Sequence, residues 1–329
     1  MSGLSVLLAH RLEVTPPERR WLVEGLWSTE AVGIIGGEPK CCKSFLALQL
    51  ATAVASGRHC LGRFAVKQPG RVLLYAAEDA LHVVRDRLEG LCKRQGLSLA
   101  ALDLWVITAP RLRLDLQDDR TQLAATVEQL KPILLILDPF VRLHRVDENV
   151  SAAVAPLLDF LRHIQRRSGC AIAVVHHSRK GGAARAGQAL RGSSEFHAWG
   201  DSNLYLRRYG GEKLSLSVEH RAQPGQQGIP LRLASDGGHA ALVIADDDAS
   251  AEPAAPTPSD RQRVLSALRD HGHPMSRAEI RQHCRMRTET LGRLLKGLAD
   301  DGVILRQGKR WRIPPPADPG QPLPFPVNP

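Results

Sequence analysis

Gly36-Gly37-Glu38-Pro39-Lys40-Cys41-Cys42-Lys43-Ser44 is the stretch on which the fold turns. It follows an apolar run, Ala31–Gly36 (AVGIIG), suited to a buried strand, and it opens a helical pattern over Lys43–Ser56. The spacing is close to GxxxxGK[ST], with Cys42 in the place of the second glycine. In a strand–loop–helix of this kind, consecutive backbone N–H groups and the positive helix N-terminus face a phosphate chain. The candidate nucleotide contacts are therefore Gly37, Glu38, Pro39, Lys40, Cys41, Cys42, Lys43, Ser44 and Phe45. Lys43 neutralises charge on the β- and γ-phosphates, and the Ser44 hydroxyl is a ligand for Mg²⁺. Glycine is preferred at position 42 because it accepts unusual dihedrals and close ligand approach. Cysteine is small, so the loop is expected to survive the exchange.

Outward from this loop, strand and helix alternate. Further apolar runs suited to buried strands are Val72–Ala76, Leu104–Thr108, Ile133–Leu137 and Ala171–Val175. Helical periodicity intervenes at Ala80–Gln95, Arg120–Leu130 and Ser151–Arg167. Such alternation predicts a parallel sheet with helices on both faces. After Gly200 the pattern changes to strands alone: Asn203–Arg208, Lys213–His220, Pro230–Ala234 and Ala241–Ala245, with a hairpin turn at Tyr209-Gly210-Gly211.

In parallel α/β sheets ligands sit at the C-terminal strand edge, and several chemically capable residues fall there. Asp138 ends ILLILD, a carboxylate placed to join Ser44 in holding the metal ion. Glu78, in Tyr75-Ala76-Ala77-Glu78-Asp79, follows another strand and is placed to orient or deprotonate an attacking water. Asp79 is its rival, and one of the two is expected to cap the next helix. His176 and His177 close the run AIAVV and are candidate γ-phosphate sensors; adjacent strand residues point to opposite faces, so one of the two is expected to touch nucleotide. Gly181–Ala189 is rich in glycine and alanine and has Arg179, Lys180 and Arg185 around it, a composition suited to nucleic-acid phosphates. Arg191, Arg207 and Arg208 are candidates for an arginine finger reaching a neighbouring subunit's nucleotide, with surface ion pairing as the alternative role.

The chain carries 329 residues with a formal net charge of +10. Asp246–Ser259 (DDDASAEPAAPTPS) has four acidic residues, no basic ones and three prolines, and reads as an extended linker. Pro314–Pro329 is a Pro-rich tail expected to be disordered. The domains are accordingly 1–245, linker 246–259, 260–313 and tail 314–329. Residues 260–313 hold 13 Lys/Arg against 6 Asp/Glu, so per residue they are far more basic than the first 245. They read as helices Asp260–Asp270, Ser276–His283 and Arg287–Asp300 followed by a hairpin around Gln307-Gly308-Lys309. The Ser276…Glu279 spacing is a capping box. That order is similar to a winged helix–turn–helix, whose third helix often enters the major groove with the wing on the backbone. Arg287 and Arg293 on the third helix, with Lys309 and Arg310 on the wing, are the candidate DNA contacts; protein contacts alone are the competing use. Scattered cysteines without CxxC spacing suit a reducing cytoplasm, and no stretch is long and apolar enough to be expected to span a membrane.

Together these residues resemble the RecA-fold P-loop ATPases, and within them the RepA-type hexameric replicative helicases of plasmids and mobile elements. The resemblance covers about Trp21 to Ala245. It rests on the phosphate loop, YAAED, ILLILDPFVRLHRVDENVSA, SGCAIAVVHHSRKG and RGSS coming in the family's order. It implies an α/β, RecA-like P-loop NTPase with a parallel core and C-terminal antiparallel strands, taking ATP and Mg²⁺. Under it Lys43 and Ser44 bind nucleotide and metal, Glu78 is the catalytic carboxylate, Asp138 the Walker B acid, and His177 or His176 the sensor. It further implies a ring, as a hexamer, that couples hydrolysis to movement along single-stranded DNA. Two departures stand out. Cys42 replaces the loop glycine, and no arginine occupies the simplest finger position after RGSS, so Arg207 or Arg208 needs a small shift to serve. The competing expectation is a nucleotide-gated DNA-binding regulator of replication or transposition that does not unwind processively.

Overall fold

The computed structural model describes residues 6–12, 14, 16, 19–177, 195–209, 213–236, 238–245, 260–284, 286, 288–308 and 310–314. The chain divides into two compact units, Met1–Ala251 and Glu252–Pro329. Arg179, Lys180, Arg185, Arg191, Arg287 and Lys309 lie outside the described residues, as do the linker and all but the first residue of the tail.

The first unit begins with a short hairpin, β1 (Trp21–Val23) and β2 (Trp27–Ser28), which sequence periodicity is too short to reveal. Trp27 is fully buried and its indole N–H donates to the Ala31 carbonyl, so the hairpin leads directly into the first core strand. There follow β3 (Val32–Gly37), α1 (Lys43–Ser56), β4 (Val72–Ala76), α2 (Leu81–Arg94), β5 (Leu104–Val106), α3 (Gln117–Leu130), β6 (Leu134–Asp138), α4 (Ser151–Ser168), β7 (Ala171–His177) and α5 (Glu195–Trp199). Four strands close the unit: β8 (Ser202–Arg208), β9 (Leu214–His220), β10 (Gln226–Asp236) and β11 (His239–Ile244). α3 starts at Gln117, three residues before the apolar periodicity begins, because Asp118 and Asp119 suit a positive helix N-terminus. β5 stops at Val106, two residues short of the expected end.

These strands form one nine-stranded sheet in the order β11-β10-β9-β8-β3-β7-β6-β4-β5. Pairing is parallel from β5 across to β8 and antiparallel from β8 to β11. The fold is thus mixed α/β with a parallel core and a C-terminal antiparallel annex. Alternation along the strands assigns two faces. Leu74, Ile136, Val175 and Leu206 pack on the side of α1, while Tyr75, Leu137, Val174 and Tyr205 pack with α3 and α4 on the other.

β3 is the central strand, and its glycine content has a steric cause. A Cβ on Gly33 would lie 1.6 Å from the Ser202 carbonyl oxygen of β8, so no side chain fits. Backbone pairing between β3 and β8 runs from Ile35↔Leu204 to Gly37↔Leu206. Before it begins, side chains bridge the gap: Asn203 Oδ1 accepts from the Ile34 N–H at 3.0 Å and Asp201 Oδ2 from the Val32 N–H at 3.2 Å. Backbone donors in the buried centre are thereby satisfied.

The second unit contains α6 (Asp260–Asp270), β12 (Met275–Ser276), α7 (Arg277–Cys284), α8 (Thr288–Asp300), β13 (Leu305–Gln307) and β14 (Arg310–Arg312). Its core is built from Val264, Leu268, Ile280, Leu291, Leu295 and Leu298. The capping box forms reciprocally: the Ser276 N–H donates to Glu279 Oε2 and the Glu279 N–H to Ser276 Oγ. One strand was not foreseen. β12 pairs with β14, so the sheet has three strands in the order β12-β14-β13 rather than a bare hairpin. Among the described residues no helix is long and apolar enough to cross a membrane.

Candidate active site

The loop joining β3 to α1 closes on its own lysine. Lys43 is the first residue of α1 and only 5% exposed. Its Nζ donates to the Gly37 carbonyl at 3.1 Å and the Glu38 carbonyl at 2.8 Å, so the ammonium sits over the entrance of the loop. Burial lowers its pKa, while Cys41, Asp138 and Glu78 pull it back up. Cys42 caps α1 in the left-handed region, at φ 65° and ψ 26°, the conformation for which glycine is the ordinary choice. The structure therefore accepts cysteine in a glycine conformation, and the loop keeps its course. Gly37 admits no substitute: a Cβ there would lie 2.3 Å from the Leu206 carbonyl oxygen and 2.7 Å from Cys41 Sγ.

Three other strand ends converge on this loop. Gly37 of β3 is in register with His177 of β7, and Ala76 of β4 with Asp138 of β6. By strand parity His177 lies on the α1 face together with Asp138, whereas His176 lies on the α4 face, 1% exposed and stacked on Phe196 with ring centroids 4.1 Å apart. Of the paired histidines left open by the sequence, the α1 face carries His177. The Ser44 hydroxyl lies close enough to the Asp138 carboxylate to favour its charged form. A hydroxyl and a carboxylate side by side form a hard oxygen donor set of the kind that holds Mg²⁺. Ser44 and Asp138 are thus the residues that fit a divalent ion here.

Asp138 is buried, and desolvation pushes its carboxyl up to about 6; Asp79 and Glu78 add to the rise, while the Ser44 hydroxyl and Lys43 oppose it. The folded value lies above the unfolded one, so the group favours folding below about pH 4 and loses that contribution as pH rises through about 6. The shift corresponds to roughly 3 kcal/mol held against the ligand-free chain at neutral pH. Asp138→Asn keeps the shape and removes the buried charge. It is expected to stabilise the metal-free chain by about 1–3 kcal/mol at pH 7.5, to flatten the loss of stability between pH 4 and 7, and to abolish Mg²⁺-dependent stabilisation. Urea midpoints at pH 5 and 7.5, with and without Mg²⁺, measure all three; an undiminished pH slope in the variant would refute the assignment.

Neither acidic residue after β4 caps the next helix, contrary to expectation: the N-cap of α2 is Ala80 and no side chain bonds there. Asp79 instead pairs with Arg87 of α2, whose guanidinium also lies 5.1 Å from the Phe45 ring centre. Phe45 is thus packed against α2. Glu78 is 42% exposed and pairs with Arg142 at 2.9 Å. That basic partner, just beyond Asp138, was not singled out from the sequence; the signal available was only its place in PFVRLHR.

The arginine-finger candidates separate. Arg208 is exposed, lies on the α1 face and donates to the carbonyl of Lys40 in its own chain at 2.9 Å. Arg207 is exposed and lies on the opposite face by parity. In the second unit Arg310 is exposed, donates to the Pro274 carbonyl at 2.9 Å and lies 3.7 Å from Glu279. Arg293 falls within α8.

Two comparisons with known proteins concern this chain. A solved chain titled "Crystal structure of the RadB recombinase" is 15% identical, the match covering 66% of this chain and 92% of that one with a TM-score of 0.48. A family model described as "AAA domain" matches residues 2–183, a span that holds the phosphate loop, Glu78, Asp138 and both histidines. With more than half of its length so matched, the chain belongs to the AAA domain family of P-loop ATPases.

Proposed function

We propose that this protein is an ATP-driven DNA motor, a RecA-like replicative helicase of a plasmid or mobile element acting as a hexameric ring. The observation that carries the ATPase part is the gathering of Lys43, Ser44, Asp138 and His177 on one face at one edge of the sheet, with Glu78 directly beyond. Lys43 binds the phosphates, Ser44 and Asp138 hold Mg²⁺, Glu78 orients the attacking water and His177 reports on the γ-phosphate. When bound, the ion supplies charge stabilisation for the transferring phosphoryl group. Arg207, exposed at the end of β8, is the candidate finger toward a neighbouring subunit in this reading.

The second unit supports DNA binding by its charge and by its order of helix, strand, two helices and hairpin, which matches a winged helix. In this reading Arg287 and Arg293 face the groove, Lys309 and Arg310 the backbone, and Arg179, Lys180 and Arg185 track single-stranded DNA inside the ring. Cys42 in a glycine position and Arg208 engaged in cis favour a second reading, a slow nucleotide-gated regulator of replication or transposition. ATPase assays with and without single-stranded DNA, paired with strand displacement, separate the two. Stimulated hydrolysis with displacement supports the motor; slow, unstimulated hydrolysis with tight duplex binding refutes it. Deleting residues 260–329 is expected to spare ATPase activity and weaken duplex affinity at least about tenfold at low salt. Unchanged duplex affinity would remove the DNA-binding role from the second unit.

A further inference from the structure

Behind the sheet, on the face away from the phosphate loop, lies a buried polar cluster that nucleotide contact does not require. The segment leaving Asp138 carries Phe140, His144 and Glu148; Phe140 and Glu148 reach His176 at the end of β7, and His144 packs on those two. Glu148 Oε1 lies 3.3 Å from His144 Nε2 and 3.9 Å from His176 Nδ1. The side chains of His144 and His176 are 2% and 1% exposed, and that of Glu148 15%. Aromatic rings complete the enclosure. Phe140 is tilted against His144 at 4.6 Å and edge-on to His176 at 6.2 Å, and Phe196 stacks on His176.

At 3.3 Å from His144 Nε2 and 3.9 Å from His176 Nδ1, the Glu148 carboxylate is within ion-pair distance of both rings without an aligned hydrogen bond to His144, so it acts on them through its buried charge. Burial alone raises the Glu148 carboxyl, yet His144, His176 and His177 together hold it below the usual carboxylate range, so the charged form persists. His176 and His177 are neighbours on one strand and project to opposite faces, so a constraint on the first is a constraint on the backbone that presents the second.

We propose that Glu148 is a positioning residue for hydrolysis: by holding the rings of His144 and His176 behind β7, it fixes the strand end that places His177 beside the phosphate loop. The proposal rests on the ATPase reading above and adds to it a residue that touches neither nucleotide nor metal.

The test uses the full chain with Glu148→Gln and Glu148→Asp, steady-state ATPase kinetics, and ¹⁵N spectra of the histidine ring nitrogens. Glu148→Gln is expected to lower kcat about tenfold while leaving the KM for ATP within about twofold, and to change the ring-nitrogen shifts of two histidines. Glu148→Asp, which keeps the carboxylate, is expected to recover most of the rate. If Glu148→Gln does not fold, His144→Gln removes the other partner and is expected to reproduce the kcat loss and to shift the His176 signals. Wild-type kcat in a folded Glu148→Gln, or a loss of kcat with unaltered ring-nitrogen signals, overturns the proposal while the ATPase reading stands. A wild-type chain that hydrolyses no ATP overturns both.

Discussion

Lys43→Ala is expected to lower the affinity for MgATP by at least about a hundredfold, with a comparable or larger loss of ATPase activity. The lysine is the buried cation facing the space above the loop, and its present hydrogen bonds run to the Gly37 and Glu38 carbonyls. Those are neutral acceptors, so exchanging them for phosphate oxygens replaces ordinary bonds by charge-assisted ones. Alanine removes the ammonium without disturbing the start of α1, because it is the best helix former. Folding and binding can therefore be told apart. Fluorescence titration with a labelled ATP measures the affinity, and thermal melting checks the fold. A folded Lys43→Ala protein that binds MgATP as tightly as the wild type would end the case for this loop as the phosphate site.

Glu78→Gln is expected to leave MgATP affinity within a few-fold and to reduce single-turnover hydrolysis by about a hundred- to ten-thousandfold, the range for removal of a general base. The ion pair with Arg142 does not oppose this role. Both partners are substantially exposed, at 42% and 62%, and such a pair contributes less than about 1 kcal/mol, so Glu78 is released toward the site at little expense. Asp79 makes a different case. It is tied to Arg87 and set back toward α2, so Asp79→Asn is expected to retain most of the activity. A Glu78→Gln chain that hydrolyses at the wild-type rate would transfer the role to another group.

Much of the architecture could be read from the chain because buried parallel strands are unbroken apolar runs. Val72–Ala76 and Lys43–Ser56 begin and end as their patterns suggest. The hairpin of β1 and β2 and the two-residue strand β12 escape such a reading, since elements this short carry no period. Strand order also stays hidden, because hydrophobicity marks a strand as central without naming its neighbours. Within the site, Lys43, Ser44 and Asp138 are legible because chemistry fixes their types and spacing. The choice between His176 and His177 needed the sheet: only the packing of Val174 and Val175 on opposite faces assigns them. The cis engagement of Arg208 was equally out of reach, since Lys40 lies 168 residues away.

The two glycines of β3 described above have a mechanical meaning. At Gly33 and again at Gly37, the backbone of β8 lies so near that even a methyl group is excluded, so a side chain at either position would wedge the two strands apart. The phosphate loop leaves from the end of β3, and Arg207 and Arg208 sit at the adjoining end of β8. Any side chain at Gly37 would therefore push the root of the phosphate loop away from the end of β8.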